Sequence, residues 1–447
     1  MTRNQRGVAL LLLASLNGFG FIDRVVIGLI AEKIKVEFLL SDLEIGLLGG
    51  TAFALVNAFA AIPVALLAER FRRAYVAAAF LMIGSLFTAF AGFTSSSAQL
   101  LICRLGMATG SAATEAPPHS MISDMYPPEK RASAISLFML GVPVAALLGS
   151  FAGGAIAQSF GWRDTFLVFG LGGGVIALLC FAFLKEPERK ARAKDAGPKT
   201  STWQVARLMW GSPALRYITA GACFVSLGSF GVNTFLAPFF SRSFGLGAAQ
   251  AGLLFGTVSG VASLFGTLIG GYGAEWAARY DRRWLLAFPA AALVVGVPIF
   301  LVGLNSGSLM FGVPLMVLGC FSFFMAMGPC IATLHGSLDS FSRATGSALF
   351  LMVMHLVGQG LGPPLIGKIS DIISASLYAG LNAGGNFAVD CAGAAGQIAG
   401  SACGQALATG LRYSIGTSTL FFAFAALFLY LGARAAYRSG QSPQTSH

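Results

Sequence analysis

The sequence predicts an all-α membrane protein with twelve transmembrane helices. Two observations carry this prediction: 56% of the 447 residues are hydrophobic and only 11% are charged, whereas an ordinary soluble domain carries about 25% charged residues. A transmembrane helix needs about 20 apolar residues, so twelve helices use roughly 250–280 residues. The remaining length suffices for loops but leaves no room for a large soluble domain.

Apolar runs bounded by charged residues or by Gly, Pro and Ser mark the twelve spans. They lie at 8–31, 44–68, 74–93, 97–122, 132–158, 164–184, 214–240, 248–274, 284–304, 308–333, 345–370 and 411–433. The first run contains Asp23 and lacks an Ala-X-Ala cleavage pattern. We therefore expect an uncleaved membrane anchor rather than a signal peptide.

The distribution of basic residues predicts the orientation. If the N-terminus is cytoplasmic, 21 of the 29 Lys and Arg residues fall on the cytoplasmic side. Because cytoplasmic loops are enriched in Lys and Arg, both termini are predicted to be cytoplasmic, in a bacterial inner membrane. Topology then explains most of the net charge of +11, and no nucleic-acid partner is expected.

The two halves of the chain repeat one another. Residues 65–73, after the second span, recur loosely as 271–279, and Pro117 in the fourth span corresponds to Pro329 in the tenth at an offset of 212 residues. A parallel repeat of two six-helix bundles is typical of one large class of transporters. We predict an N-terminal bundle at 1–184, a cytoplasmic linker at 185–213 and a C-terminal bundle at 214–447.

Two loops carry further signals. In the linker, apolar residues between Trp203 and Trp210 follow a helical spacing, which indicates either a helix lying on the inner membrane face or an unstructured tether. Among the seven cysteines, only Cys391 and Cys403 share a loop, which the topology places outside. They either form a disulfide in an oxidising periplasm or remain free thiols.

Four stretches of sequence indicate a family. They are Phe-Ile-Asp-Arg at 21–24 in span one, 117–132 at the end of span four, Gly-Trp-Arg at 161–163 opening span six, and 361–367 in span eleven. In these residues the chain resembles the major facilitator superfamily, and more narrowly its spinster-like bacterial branch. The resemblance implies two six-helix bundles in alternating access around a cavity lined mainly by spans one, four, seven and ten. For this branch it also implies amphipathic cargo such as lysolipids or sphingoid phosphates.

The chain departs from the family pattern at two places. In the loop after span two, Ala65, Glu69 and Arg72 stand where the family usually has Gly, Asp and Gly. In span four, Ser111 stands where related transporters usually have a Glu seven residues after the Arg, and a Glu follows instead at position 115.

Four ionisable residues are predicted inside the membrane, where a charged side chain costs free energy unless it is paired with an opposite charge or solvated by water. They are Asp23, Arg24, Arg104 and Glu115. Eleven helical residues turn the chain roughly 20° past three full turns, so we expect Arg104 and Glu115 on one helix face about 16 Å apart, with Ser111 between them.

Arg104 is predicted to hold either an anionic substrate head group or the carboxylate of Asp23, because a guanidinium stays charged and binds oxyanions through two parallel bonds. The alternative is a static ion pair of Asp23 and Arg104 that joins spans one and four. Asp23 and Glu115 are predicted to exchange protons, since burial favours a neutral carboxyl and a nearby Arg favours the charged form. The alternative for Glu115 is a position near the inner mouth, facing water.

Other polar and charged residues complete the predicted site. Asn233 in span seven and His355 and Gln359 in span eleven either line the cavity or hydrogen-bond neighbouring helices. The resemblance implies that charged residues on the inner side form salt bridges that close that side. These gating residues are Glu69, Arg70, Arg73, Asp124, Arg131, Glu275, Arg279 and Arg343.

Together with these residues, the resemblance implies a secondary active transporter that works by alternating access, linked to protons, for an amphipathic anion such as a lysolipid or sphingoid phosphate. The alternatives are a proton symporter of organic anions or sugar acids and a uniporter of the same fold. The sequence has only four His and no HExxH or GxSxG motif, which argues against an enzyme. No metal or cofactor is expected; the expected partners are substrate, protons and membrane lipids, and the expected state is a monomer.

Overall fold

The structure is a computed structural model that describes residues 3–188, 202–338, 342–381, 385–393 and 400–441. Within these ranges the chain forms α-helices, loops and two π-helical turns, at Leu47–Thr51 and Gly256–Val261. The helices are α1 Arg3–Phe38, α2 Asp42–Gly46, α3 Ala52–Arg70, α4 Arg73–Ala91, α5 Ser97–Ser111, α6 Ala116–Met125, α7 Pro128–Met139, α8 Gly141–Ser159, α9 Trp162–Phe183, α10 Thr202–Gly211, α11 Pro213–Phe244, α12 Ala248–Phe255, α13 Ala262–Ala278, α14 Trp284–Leu304, α15 Leu309–Phe324, α16 Met327–Gly336, α17 Arg343–Leu381, α18 Phe387–Asp390 and α19 Ala402–Gln441.

The predicted all-α fold with twelve spans is confirmed in this part of the chain. Eleven helical stretches are long and apolar enough to cross a membrane. The fourth predicted span, 97–122, is divided between α5 and α6, which are separated at 112–115. A backbone inside a bilayer must satisfy its own polar groups, so a break in a spanning helix is tolerated only where protein or water contacts it.

The internal repeat extends to irregularities of the backbone. The break between α5 and α6 is followed by Pro117, and α15 and α16 are separated at 325–326, just before Pro329. Proline has no amide hydrogen and clashes with the preceding turn, which favours a helix start over a continuous helix. The π-helical turns lie in corresponding spans, the second and the eighth.

The chain divides into two compact units. The first unit comprises Met1–Ala191, Asn233–Gly260 and Pro363–Ser414, and the second comprises Arg192–Val232, Val261–Gly362 and Ile415–His447. Inside the first unit, α4 and α5 approach closely where Gly84 meets Gly110. Small residues allow this approach, which van der Waals packing then stabilises in a membrane.

The structure describes part of each of the two loops singled out in the sequence. Residues 189–201 of the predicted linker lie outside the described residues, but 202–211 form the helix α10. Val205 and Met209 of α10 are buried, while Trp203 and Trp210 are each 77% exposed. The linker segment from Trp203 to Trp210 is therefore helical and amphipathic.

Cys391 and Cys403 form a disulfide bond. Both cysteines are buried and pack against Tyr378 at the end of α17 and Ala406 at the start of α19. Of the two alternatives left by the sequence, the structure contains the disulfide. The other five cysteines are buried free thiols.

Candidate functional site

Asp23 lies in the middle of α1 and is buried. Its carboxylate accepts a hydrogen bond of 2.9 Å from the Thr88 hydroxyl on α4, and its backbone carbonyl accepts one of 2.8 Å from Nη1 of Arg104 on α5. The carboxylate thus has a neutral partner, and the nearest contact with Arg104 is made by the backbone.

Arg104 is fully buried and binds backbone carbonyls. Besides Asp23, its Nε donates to the Leu48 carbonyl at 3.1 Å and its Nη2 to the Gly49 carbonyl at 3.4 Å. Leu48 and Gly49 belong to the first π-helical turn, and such turns leave carbonyls outside the regular ladder of the α-helix. Arg104 therefore joins α1, this turn and α5, a contact that sequence reasoning did not predict.

Arg24 has different surroundings from Arg104. Its guanidinium carbon lies 5.4 Å from the Phe21 ring centre and 5.0 Å from that of Phe53. Its Nε atom is buried and has no hydrogen-bond partner among the described residues. Arg24 interacts electrostatically with Glu115 and Asp23. All three nitrogens of the Arg104 guanidinium group donate to backbone carbonyls, whereas Nε of Arg24 does not donate to any described residue.

Glu115 and Ser111 lie at the two edges of the break in span four. Ser111 ends α5, is buried, and donates from its hydroxyl to the side-chain oxygen of Asn57 at 3.2 Å. Glu115 precedes α6, where its backbone carbonyl accepts a bond of 2.7 Å from the His119 ring. The helical spacing that places Arg104 and Glu115 on one face therefore applies only as far as Ser111.

A small internal cavity brings Asp23 and Ser111 together. Thr88, Gly84 and Gly110 also line it, and its volume is about 10 Å³. A cavity of roughly 10–15 Å³ holds one water molecule if polar partners are present. The Asp23 carboxylate and the hydroxyls of Thr88 and Ser111 are such partners.

The remaining predicted polar residues lie in different units. Asn233 on α11 accepts a hydrogen bond from the Ser259 hydroxyl of the second π-helical turn, inside the first unit. His355 on α17 lies edge-on to Phe230, with 6.1 Å between ring centres, inside the second unit. Gln359 is also in the second unit and is buried, with its side-chain oxygen lacking a hydrogen bond to any described residue.

Arg73 and Asp124, two predicted gating residues, form an ion pair of 2.6 Å. Arg73 pairs also with Glu186 at 2.8 Å, and Glu186 accepts a bond of 3.0 Å from the Ala74 amide. We call Arg73, Asp124 and Glu186 the inner cluster, after the side on which the predicted topology places it. Glu186 was missed because it lies in the basic stretch after span six, where Lys and Arg residues dominate the pattern.

The other predicted gating residues show two kinds of environment. Arg131 donates to the Tyr126 carbonyl at 3.2 Å, and Arg343 donates to the His335 carbonyl at 2.8 Å. Each arginine thus binds carbonyls at the end of the preceding helix, α6 or α16, where carbonyls lack helical partners. The rest are exposed: Glu69, Arg70, Glu275 and Arg279.

A second ionic cluster was not predicted as a site. Arg242 at the end of α11 contacts Glu32 at 2.6 Å and Asp42 at 2.7 Å. Asp42 is fully buried and also pairs with Lys35 at 2.5 Å. The Ser370 hydroxyl donates to Asp42 at 2.7 Å. Asp371 completes the set by accepting from the backbone amides of Asp42 and Leu43 at 3.0 and 2.9 Å.

We call this set the outer cluster, again after the predicted topology: Glu32, Lys35, Asp42, Arg242, Ser370 and Asp371. Its members come from α1, α2, α11 and α17, so it joins four helices within the first unit. The sequence offered one signal, since Lys35 and Arg242 belong to the minority of basic residues on the predicted outer side. Their partners are too distant in sequence to be recognised.

The Gly-Trp-Arg stretch at 161–163 has a structural role. Gly161 has a φ of +105°, in a region where a side chain is strained. The turn brings the Trp162 ring nitrogen and both terminal nitrogens of Arg163 onto the Glu37 carboxylate, at 2.7, 2.8 and 2.6 Å. The stretch thus connects the start of α9 to the end of α1.

Comparisons with known proteins give one consistent result. The model of the Major Facilitator Superfamily matches residues 12–363. An MFS-type efflux pump of Mycolicibacterium smegmatis is 29% identical over 369 residues, 82% of this chain and 85% of that protein. Protein spinster homolog 1 of Xenopus tropicalis is 26% identical over 394 residues, 81% of this chain and 72% of that protein. A solved bacterial homolog of the human lysosomal transporter Spinster, inward-facing and unoccupied, has a TM-score of 0.86 at 29% identity, over 99% of this chain and 100% of that one.

Proposed function

The chain belongs to the Major Facilitator Superfamily, and from this premise we propose that it is a proton-linked secondary active transporter of an amphipathic anion, such as a lysolipid or a sphingoid phosphate. The transporter class itself is established: the family and the matched structures are membrane transporters, so the predictions of a spinster-like, multi-pass transporter and of no enzyme are confirmed. Substrate, proton coupling, direction, domain boundaries and the cytoplasmic placement of both termini belong to the proposal.

One observation carries the proposed substrate class: Arg24 is a cation beside two aromatic rings, with a buried Nε that has no hydrogen-bond partner among the described residues. A guanidinium binds oxyanions through paired N–H donors. The Phe21 ring is partly exposed and offers an apolar surface beside Arg24. A ligand with an anionic head and an apolar tail matches both features.

Arg104 takes a positioning role in this proposal. Its donors are directed at the carbonyls of Asp23, Leu48 and Gly49, which fixes the turn of α1 that carries Asp23 and Arg24. This assigns the anion to Arg24, and Arg104 holds the backbone beside it.

Proton coupling is proposed to arise from competition for Arg24. Glu115 and Asp23 both interact electrostatically with Arg24. An anionic head group at Arg24 would offset the positive charge that favours ionised carboxylates, so substrate binding and proton uptake should favour each other. The expected coupling is therefore symport.

The test uses the full-length protein in detergent and then in liposomes. We expect a lysophospholipid with a phosphate head group to raise the thermal unfolding midpoint, and hexuronates of the same charge to leave it unchanged. Arg24→Gln should abolish this stabilisation, Arg24→Lys should retain part of it, and Arg216→Gln, which removes an exposed charge on α11, should have no effect. Stabilisation by hexuronates alone would favour the organic-anion alternative.

Coupling is tested separately in liposomes with an imposed pH gradient. Glu115→Gln and Asp23→Asn should lose the response of uptake to the gradient while exchange of substrate across the membrane persists. If the wild type itself does not respond to the gradient, the protein is a uniporter. If both variants respond like the wild type, the assignment of these two carboxylates is wrong.

A further inference from the structure

An apolar groove with a basic mouth runs between α14 and α19 in the second unit. Its volume is about 720 Å³. On α14 it is lined from Trp284 to Pro298, and on α19 from Ala423 to Arg434. Alanines on both helices, including Ala291 and Ala423, leave the space between the larger side chains open. We call this feature the α14–α19 groove.

The walls of the groove face outward. Val294 is 64% exposed and Leu427 is 51% exposed, although both lie in helices that are apolar enough to span a membrane. Side chains of this kind in a membrane-spanning helix contact hydrocarbon rather than water. The surroundings of the groove therefore favour an acyl chain as its occupant.

The groove is long enough to extend through one leaflet of a bilayer. Fourteen residues separate Trp284 from Pro298, which is about 21 Å of helix. The hydrocarbon core of a bilayer is about 30 Å thick, so one leaflet contributes roughly 15 Å. An acyl chain that enters at Trp284 can lie along the groove through its whole leaflet.

The mouth of the groove carries two arginines stacked on aromatic rings. The guanidinium carbon of Arg434 lies 4.6 Å from the Tyr430 ring centre, and that of Arg283 lies 3.8 Å from the Tyr437 ring centre. Stacking occupies the faces of a guanidinium and leaves its in-plane N–H donors available. Trp284 and Tyr430 are also the residue types enriched where hydrocarbon meets water.

Asp281 is the acidic residue of the mouth, and it weakens the positive charge only in part. Its carboxylate lies 3.8 Å from Nε of Arg283 and accepts a hydrogen bond of 2.9 Å from the Arg283 backbone amide. Among the described residues, no acidic side chain forms a salt bridge with Arg434. The mouth keeps an excess positive charge next to an apolar channel.

We propose that the α14–α19 groove binds an anionic phospholipid of the cytoplasmic leaflet, with an acyl chain along the groove and the phosphate at Arg283 and Arg434. Basic pockets between transmembrane helices on the cytoplasmic side bind anionic lipid head groups by this chemistry. The groove shares no residue with the proposed substrate site, and this lipid is a resident of the transporter rather than its cargo.

The first test measures lipid binding to the purified full-length protein by native mass spectrometry. Phosphatidylglycerol should bind about tenfold more tightly than phosphatidylcholine of the same acyl chains, less than the roughly thirtyfold of two unopposed basic residues because Asp281 offsets part of their charge. Arg283→Gln with Arg434→Gln should remove this preference. Arg282→Gln, which removes an exposed charge next to the groove, should retain it. Equal binding of both lipids by the wild type would overturn the proposal, and so would an equal loss in Arg282→Gln.

Three further measurements test the groove and control for misfolding of the arginine variants. Ala291→Phe fills the groove and should abolish retention of phosphatidylglycerol, whereas Val295→Phe, on the same helix but outside the groove, should not. Asp281→Asn removes the opposing charge and should tighten binding severalfold, a gain that misfolding cannot produce. Glycerol phosphate, which has the head group but no acyl chain, should not compete. Unchanged binding in Ala291→Phe, no gain in Asp281→Asn, or competition by glycerol phosphate would each overturn the proposal.

Discussion

The inner and outer clusters share one plan, an arginine between two carboxylates, but they join different parts of the chain. Arg73 of the inner cluster contacts Asp124 and Glu186, all from the first half of the chain. Arg242 of the outer cluster, from the second half, contacts Glu32 and Asp42 from the first half. The inner cluster therefore joins residues from one half of the sequence. The outer cluster joins residues from both halves of the sequence within the first unit.

The two clusters also differ in burial. In the outer cluster, the side chain of Asp42 is 0% exposed and that of Arg242 is 7% exposed. In the inner cluster, the acids Asp124 and Glu186 are 17% and 19% exposed. An ionised group that loses its partner is penalised more when water cannot reach it. Removal of the arginine should therefore destabilise the outer cluster more than the inner cluster.

The largest effect is expected for Arg242→Gln. It removes the arginine that pairs with both Glu32 and Asp42, and leaves the ion pair between Asp42 and Lys35. Removing one member of a buried ion pair lowers the free energy of unfolding by about 3–5 kcal/mol. We expect a strongly reduced thermal unfolding midpoint in detergent.

The control for Arg242→Gln is Arg163→Gln. Arg163 and Glu37 form an ion pair of 2.6 Å, but their side chains are 39% and 40% exposed. An exposed pair contributes about 0–1 kcal/mol. If the two variants lose the same stability, burial does not distinguish the outer cluster and the comparison fails.

The sequence predicts the spans well and the contacts of the outer cluster poorly, for a physical reason. A spanning helix must be long and apolar because the bilayer offers no hydrogen bonds, so hydropathy alone locates it. The partners of Arg242 lie 210 and 200 residues away at Glu32 and Asp42. A pairing over such a distance depends on how helices pack, which residue types in one sequence do not encode.

The intramembrane arginines show the same limit. The cost of a charge in a bilayer singles out Arg24 and Arg104 from the sequence. Their different partners depend on the π-helical turn Leu47–Thr51, whose carbonyls bind Arg104. No residue type marks such a turn. The break in span four is different, because Pro117 and Pro118 at the start of α6 signal it in the sequence.

A smaller effect is expected for Arg73→Gln. Arg73 is buried, but water reaches both of its carboxylates in part. Loss of hydrogen bonds to charged groups should lower the free energy of unfolding by about 2 kcal/mol, measured by thermal unfolding in the same detergent. Arg72→Gln, an exposed neighbour that stacks on Tyr75 at 5.5 Å, should change it little. A loss as large as that of Arg242→Gln would contradict the proposed difference between the clusters.

The smallest effect is expected for Asp371→Asn, which separates the roles of charge and backbone in the outer cluster. Asp371 accepts two backbone amides at the start of α2, one through each carboxylate oxygen. An Asn keeps one acceptor oxygen and loses the charge, which should lower the free energy of unfolding by about 1 kcal/mol, as for other acceptors at helix starts. Lys368→Gln, an exposed charge change on the same helix, is the control. Asp371 and Arg242 both contact Asp42, so the losses in Asp371→Asn and Arg242→Gln should not add in the double variant. Losses that add fully would mean that the two side chains stabilise the start of α2 independently.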